Sequence, residues 1–294
     1  MTAPIERLAL YFSGATTRQG LLARAALGRA DSTDGDLARL LACRAADEVR
    51  ADGSINGGAL ATIWRGHELL DYGTSETAEA TRRVVHYVLQ LQGRPGSYGE
   101  GCDRERHGRR VCEHYLGGFF APATPVERLT PVTLPNGKVY RAEPAARFAL
   151  SCLALRAVLR SGAGDRPAVR RHIDSLSALA EQWTVWGGYF PPDLIVAVMH
   201  ALAEVGPERR EVVRRLATLA AANQGEDGTW PHTDFFHVLE ALHAAGTEEA
   251  AAATRRAVPA LVARQRPDGT FGPMAQQERA LIALRALLWA ERAL

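Results

Sequence analysis

The segment Trp230-Pro-His232-Thr-Asp234-Phe-Phe-His237 gathers a carboxylate, two imidazoles and two phenyl rings into eight residues. Asp234 and His237 are three apart, a spacing that puts both on one face of a helix. A carboxyl group beside an imidazole is equipped for general acid–base chemistry when burial and neighbours tune its proton affinity. Asp234 is therefore the candidate acid or base, His232 the group that tunes it, and His237 a second polar group one turn deeper. A plainer reading competes, because Thr233 and Asp234 are ordinary N-cap residues for a helix beginning there.

A second segment, Cys102-Asp-Arg104-Glu-Arg106-His107-Gly-Arg109-Arg110-Val-Cys112-Glu-His114, carries metal-capable side chains, but their spacings fit no standard zinc module. Arg104, Arg106, Arg109 and Arg110 could clamp a diphosphate or another anion, since guanidinium forks match phosphate oxygens. Asp103, Glu105 and Glu113 supply the competing reading, a charged loop paired within itself.

The elements that must position these residues are announced by repetition. Gln92-Gly-Arg-Pro-Gly96-Ser-Tyr98, Gln224-Gly-Glu-Asp-Gly228-Thr-Trp230 and Gln265-Arg-Pro-Asp-Gly269-Thr-Phe271 all fit Gln-x-x-x-Gly-x-aromatic. Asp52-Gly53-Ser54-Ile55 and Trp186-Gly187-Gly188-Tyr189 are weaker relatives. The spacing is 43 residues from Ile55 to Tyr98, 41 from Tyr189 to Trp230 and 41 from Trp230 to Phe271. The 91 residues from Tyr98 to Tyr189 leave room for two periods, with a decayed turn expected near Ala142–Pro144, so the count is six. A fixed period of this size signals a repeat architecture.

Each period pairs an apolar helix (Ala59–Leu70, Arg147–Leu159, Leu194–Ala203, Phe235–Ala245, Gln277–Ala290) with a more charged, amphipathic one (Ser75–Leu91, Ala168–Gln182, Glu208–Asn223, Glu248–Arg264). Gly73, Gly162, Gly206 and Gly246 stand where a helix C-terminus wants a left-handed residue. Helices near Ile5–Tyr11, Thr17–Leu27 and Asp34–Glu48 fill the first fifty residues. The exception to helix is Leu129–Arg141, where Asn136-Gly137 between two short alternating runs predicts a β-hairpin. It belongs to an insertion, residues 118–142, that could form a lid.

An open solenoid needs polar caps at both ends, yet the last helix keeps Leu281, Ile282, Leu284, Leu287, Leu288 and Trp289. Closure follows as the expectation: a single all-α domain over residues 1–294, an α/α₆ toroid of six helical hairpins with apolar helices inside. Composition agrees with one large core, at 294 residues and 47% hydrophobic. The balance of 35 basic against 33 acidic residues argues against a nucleic-acid partner. No apolar run reaches the length of a membrane span. The start, Met1-Thr-Ala-Pro-Ile-Glu-Arg, has charges where a signal peptide is apolar, and the four cysteines lack CxxC spacing, so a cytoplasmic location is expected. Oligomeric state is left open.

Gln-x-x-x-Gly-x-Trp recurring in helical hairpins resembles the QW motif of squalene–hopene and oxidosqualene cyclases, whose toroid is shared by the β-subunits of protein prenyltransferases. Only Gln224…Trp230 matches the motif strictly. The resemblance implies a terpenoid cyclase/protein prenyltransferase fold in which a protonated Asp, helped by a His, initiates cyclisation; Asp234 and His232 would take those parts. The Asp-x-Asp-Asp signature of the cyclases is absent, Asp34-Gly-Asp36-Leu being incomplete. Asp234-Phe-Phe-His237 is similar to the zinc-bearing Asp-[Phe/Tyr]-[Phe/Tyr]-His of the prenyltransferases. Pro192-Asp193-Leu-Ile195, however, has Ile195 where the thiolate ligand should stand. Asp193 and His237 alone are too few for zinc, and no cofactor, zinc or magnesium, is expected.

Aligning the hairpin glycines sets Trp64 opposite His237 and Asp193 beside the position of Asp234, and aligning Leu284 with Leu242 sets Gln276 and Arg279 opposite Asp234 and His237. The expected cavity is walled by Trp64, Tyr189, Phe190, Phe235 and Phe236, with a polar rim of His232, Asp234, Asp193, Gln276 and Arg279. Aromatic faces of this kind stabilise carbocations. The favoured function is an enzyme binding a small apolar isoprenoid or similar natural product and catalysing proton-initiated cyclisation or isomerisation. The alternatives are an inactive binding or scaffold toroid, and a prenyltransferase-like enzyme with a degenerate zinc site.

Overall fold

A computed structural model describes residues 2–56, 58–91, 129–188 and 190–292. Among them are twelve α-helices and one two-stranded sheet. The helices are α1 (Ala3–Ser13), α2 (Arg18–Ala26), α3 (Ser32–Asp47), α4 (Gly58–Tyr72), α5 (Ala78–Gln90), α6 (Glu143–Arg160) and α7 (Pro167–Glu181). Then follow α8 (Pro192–Ala203), α9 (Arg210–Ala222), α10 (Phe235–Ala245), α11 (Glu248–Arg264) and α12 (Gln276–Arg292). The chain is thus mostly helical, as its periodicity requires. No described helix is long and apolar enough to cross a membrane.

Burial alternates along the chain as the sequence patterning does. Helix α8 buries nearly every residue and α6 two thirds of its own, including Phe148, Leu150, Leu155, Leu194, Val196 and Leu202. Helices α5 and α9 bury one stripe only, Val84, Val85 and Val88 in one and Val213, Leu216 and Ala220 in the other, as an outer helix does. Contacts follow the same division: α4 packs on α6, α6 on α8, α8 on α10 and α10 on α12. The first and last helices also meet, α1 and α2 both packing against α12, and α2 touches α4.

The repeat motif has a physical role in each turn. Gln224 Nε2 donates to the Gly228 carbonyl (2.9 Å) and to the Ala253 carbonyl of α11 (3.0 Å), and its Oε1 accepts from Arg256 Nε (2.9 Å). Gly228 has a left-handed φ, and a Cβ there would sit 2.5 Å from the Arg256 carbonyl, so the turn can rest on α11 only with glycine. Trp230 is buried and donates from Nε1 to Ala220 (2.8 Å). Gln265 repeats the arrangement on the first helix, donating to the Pro4 carbonyl (3.0 Å) and accepting from Arg7 Nε (2.9 Å). The copy at Gln92–Tyr98 lies outside the described residues. Replacing Gln224 with Ala is expected to cost about 1–3 kcal/mol by urea denaturation, because it removes three hydrogen bonds that tie the turn to α11. A loss under about 0.5 kcal/mol, the level of a neutral surface change, would contradict that role.

Helix boundaries depart from expectation at three starts. α6 begins at Glu143, ahead of Arg147, with Pro144 in its first turn, so the residues expected to form a decayed turn already open a helix. Ser75–Thr77 and Pro207–Arg209 are 3₁₀ turns leading into α5 and α9. The hairpin forms as expected: β1 (Val132–Thr133) pairs antiparallel with β2 (Val139–Tyr140), and Asn136-Gly137 makes the turn between them. Residues 118–128 of the insertion lie outside the described residues.

Candidate functional site

Asp234 is the N-cap of α10. Its Oδ1 accepts from the amides of Phe236 (3.0 Å) and His237 (3.1 Å), and its Oδ2 accepts from Arg279 Nη2 (3.1 Å). The Asp234 amide in turn donates to Asp193 Oδ1 (3.2 Å), which also accepts from Thr233 Oγ1 (2.5 Å). Both carboxylates are thus occupied as acceptors.

The tip of the hairpin is built into the same group. Lys138, the only lysine of the chain, pairs with Asp193 Oδ2 and lies 5.4 Å from the centre of the Tyr140 ring. Buried Asn136 donates from Nδ2 to both His237 Nδ1 (3.1 Å) and Glu240 Oε2 (2.9 Å), and its carbonyl accepts from Arg279 Nε (3.0 Å). Gly137 takes φ +88°, and a Cβ would meet Arg279 Nη2 at 3.0 Å. The hairpin therefore stoppers the N-terminal ends of α8, α10 and α12. Because Asn136 donates to Nδ1, the proton of His237 sits on Nε2, which is buried with no partner. Burial holds the His237 pKa below its ordinary value, against the pull of Glu240, Asp193 and Asp234.

The structure brings Asp193, Asp234, His237 and Arg279 together and leaves two of their expected companions aside. His232 is exposed in a left-handed conformation, and no hydrogen bond among the described residues joins it to Asp234. Gln276 is exposed at the start of α12. Phe236 is buried under the Arg279 guanidinium, 4.9 Å from its ring centre, and against Phe271. Phe235 carries Arg264 at 4.7 Å, while Phe190 is buried between Trp183 and Phe148. These three rings are packing, and none lines the central cavity. Of the expected wall only Trp64 does so, with the Arg18 guanidinium 4.8 Å from its ring centre. Tyr189 and the cluster Arg104, Arg106, Arg109 and Arg110 lie outside the described residues.

That cavity, of about 230 Å³, begins one helical turn deeper than the stopper. Its lining comes from six helices: Arg18 of α2; Trp64, His67 and Asp71 of α4; Arg156 and Arg160 of α6; His200 at the end of α8, with Glu204 just beyond it; Glu240, His243 and Ala244 of α10; Glu278, Ile282 and Arg285 of α12. Glu240 joins the two regions, since it lines the cavity and accepts from Asn136. His243 is exposed at the rim.

One side of the cavity is fully paired. Asp71 accepts from Arg18 Nε (2.5 Å) and from Arg160 Nη2 (2.5 Å), and Arg18 also reaches Glu278 Oε2 at 2.9 Å. Burial opposes both charges, but the pairing outweighs it, so the Arg18 pKa is raised and that of Asp71 lowered. His67 donates from Nε2 to the Leu153 carbonyl (3.0 Å), leaving Nδ1 to accept from Arg160 (3.1 Å), so neither ring nitrogen is free. The other side is loosely paired. Arg156 stands 3.8 Å from Glu240 and 3.9 Å from Glu204, beyond hydrogen-bond reach, and its buried Nε has no partner. His200 is buried with Nδ1 unpartnered, and burial, then Arg156, push its pKa well down. It is a neutral imidazole with a ring nitrogen to spare, the requirement of a general base.

The cavity lies deeper than the residues that the local sequence singles out, and a repeat signal points to it. Counting back six residues from Gly73, Gly162, Gly206 and Gly246 gives His67, Arg156, His200 and Glu240. Counting back two gives Asp71, Arg160, Glu204 and Ala244. All eight line the cavity, so the same two positions of these four hairpins converge on it. Among the described residues, no group of three His, Cys, Asp or Glu side chains is placed to hold a metal. No protein-family model matches the chain, and no characterised protein matches it in sequence.

Proposed function

We propose that the twelve helices close into an α/α toroid and that the chamber at its centre binds a small polar molecule for acid–base chemistry. Support for closure comes from the neighbour order, in which α2, α4, α6, α8, α10 and α12 each pack on the next and α12 returns to α2. The last repeat turn also seats on the first helix through Gln265, Pro4 and Arg7. Together with the Gln-x-x-x-Gly-x-aromatic turns, this keeps the terpenoid cyclase likeness as the reading of the architecture.

The observation that carries the functional reading is the lining. Eleven of its fourteen side chains are ionisable, and only Trp64, Ala244 and Ile282 are not. Interior charge is expensive, and inner helices of a ring could close on leucine at no such cost. A polyene would meet guanidinium and carboxylate groups on nearly every side, in a space below the usual range for drug-sized ligands. The chamber therefore favours a small polar substrate over an isoprenoid. His200 is the candidate base, with the Glu204 and Glu240 carboxylates beside it; Asp234 and the hairpin seal the opposite end.

The test uses Ala244→Phe, which fills the chamber without removing a charge. Protein incubated with a small-molecule extract, repurified and denatured should release one compound in stoichiometric amount, read by mass spectrometry. Ala244→Phe should fold, by circular dichroism, and release none. Equal retention by both proteins, or retention by neither, would overturn the proposal.

A further inference from the structure

The pairing inside the chamber points to what its ligand must carry, if the chamber is the binding site argued above. We infer that it selects a small carboxylate, held between the guanidinium groups of Arg156 and Arg285. Of the four arginines in the lining, Arg18 and Arg160 are saturated by Asp71 and Glu278. Arg156 has only the long contacts to Glu240 and Glu204. Arg285 has no hydrogen bond or ion pair among the described residues, although it is largely enclosed. An arginine does not shed its proton to escape burial, so its charge has to be met by an anion or by water.

In the neighbour order, α6 and α12 stand on opposite sides of the ring, three steps apart either way. Guanidinium groups reaching in from opposite walls present donors to both ends of a short dianion, or to both oxygens of one carboxylate. His200 lines the same chamber, with its enclosed Nδ1 unpartnered. Asn136 of the hairpin tip holds the other oxygen of Glu240 at 2.9 Å, which opposes its closing on Arg156. The carboxylates of the lining equal the four arginines in number, but Arg156 and Arg285 have none of them within hydrogen-bond reach.

Three four-carbon probes of equal length separate the charge states: succinate, succinamide and 1,4-diaminobutane, each at ionic strength matched with sodium chloride. Succinate should raise the thermal midpoint of the wild-type protein, and the other two should not. Arg285→Met and Arg156→Met should each weaken succinate by roughly tenfold or more, the worth of a charge-assisted hydrogen bond. Arg285→Met removes an enclosed charge that has no partner, so without ligand it should melt no lower than wild type. Stabilisation by succinamide or diaminobutane equal to that by succinate, abolished by Ala244→Phe, would overturn the carboxylate inference and leave the chamber as the binding site. A succinate effect that persists undiminished in Arg285→Met would also overturn it. Failure of every probe, with no compound released from the extract, would remove both.

Discussion

Acidification from pH 7 to pH 5 should remove most of the stability of this protein. Four buried histidines have pKa values below the ordinary 6.5: His67 and His200 well below it, His237 below it, and His172 pushed down to about 4. Burial is the largest cause in each, and nearby arginines add to it for His67, His172 and His200. The unfolded chain binds protons below about 6.5 while these folded imidazoles do not, so stability is full above that pH and is lost as pH falls. A histidine that stays neutral in the folded state loses about 2 kcal/mol by pH 5, at 1.36 kcal/mol per unit. For His67, His172 and His200 together this reaches about 6 kcal/mol, within the range of the whole stability of an ordinary domain. Urea midpoints at pH 7, 6 and 5 measure this directly, and the midpoint should fall steeply below pH 6.5. A midpoint unchanged between pH 7 and 5 would mean that these imidazoles are not enclosed as described.

The second large effect belongs to Asp71. It pairs with both Arg18 of α2 and Arg160 of α6, by contacts of 2.5 Å on each oxygen. Asp71→Asn leaves Arg160 with His67 as its remaining partner and Arg18 with Glu278. Breaking a buried pair by removing one member costs about 3–5 kcal/mol, because the stranded charge stays buried. The loss should be partly recovered in the Arg18→Met, Asp71→Leu double variant, which removes the charge and its partner together. Denaturant unfolding of the single and double variants reads both values. A single-variant loss below about 1 kcal/mol, the scale of a surface pair, would contradict the network.

The helical body was legible because its determinants are local. Gln224, Gly228 and Trp230 act within one turn and its neighbouring helix, and Gly246 ends α10 where its left-handed φ is required. The helix at Phe235–Ala245 accordingly has the bounds its sequence suggests. Asn136-Gly137 was equally plain as a turn, but nothing local says that Asn136 will meet His237 and Glu240, 101 and 104 residues away. The chamber was obscure for a related reason. Each helix supplies only one or two polar residues inside an apolar pattern, so no single segment looks unusual, whereas Trp230–His237 crowds its polar groups together. Crowding drew attention to Asp234, whose hydrogen bonds are spent on capping α10 and fixing Arg279. Repeat position, not local density, is what identifies the chamber.

The most direct measurement is a crystal structure of the protein carrying the compound it retains from an extract. The chamber reading places that compound's density among Arg156, Arg285 and His200, with Asn136 still bonded to Glu240 and the hairpin end closed. Density lying instead against Asp234 and Arg279 at the hairpin end, with the chamber collapsed onto its own side chains, would contradict it.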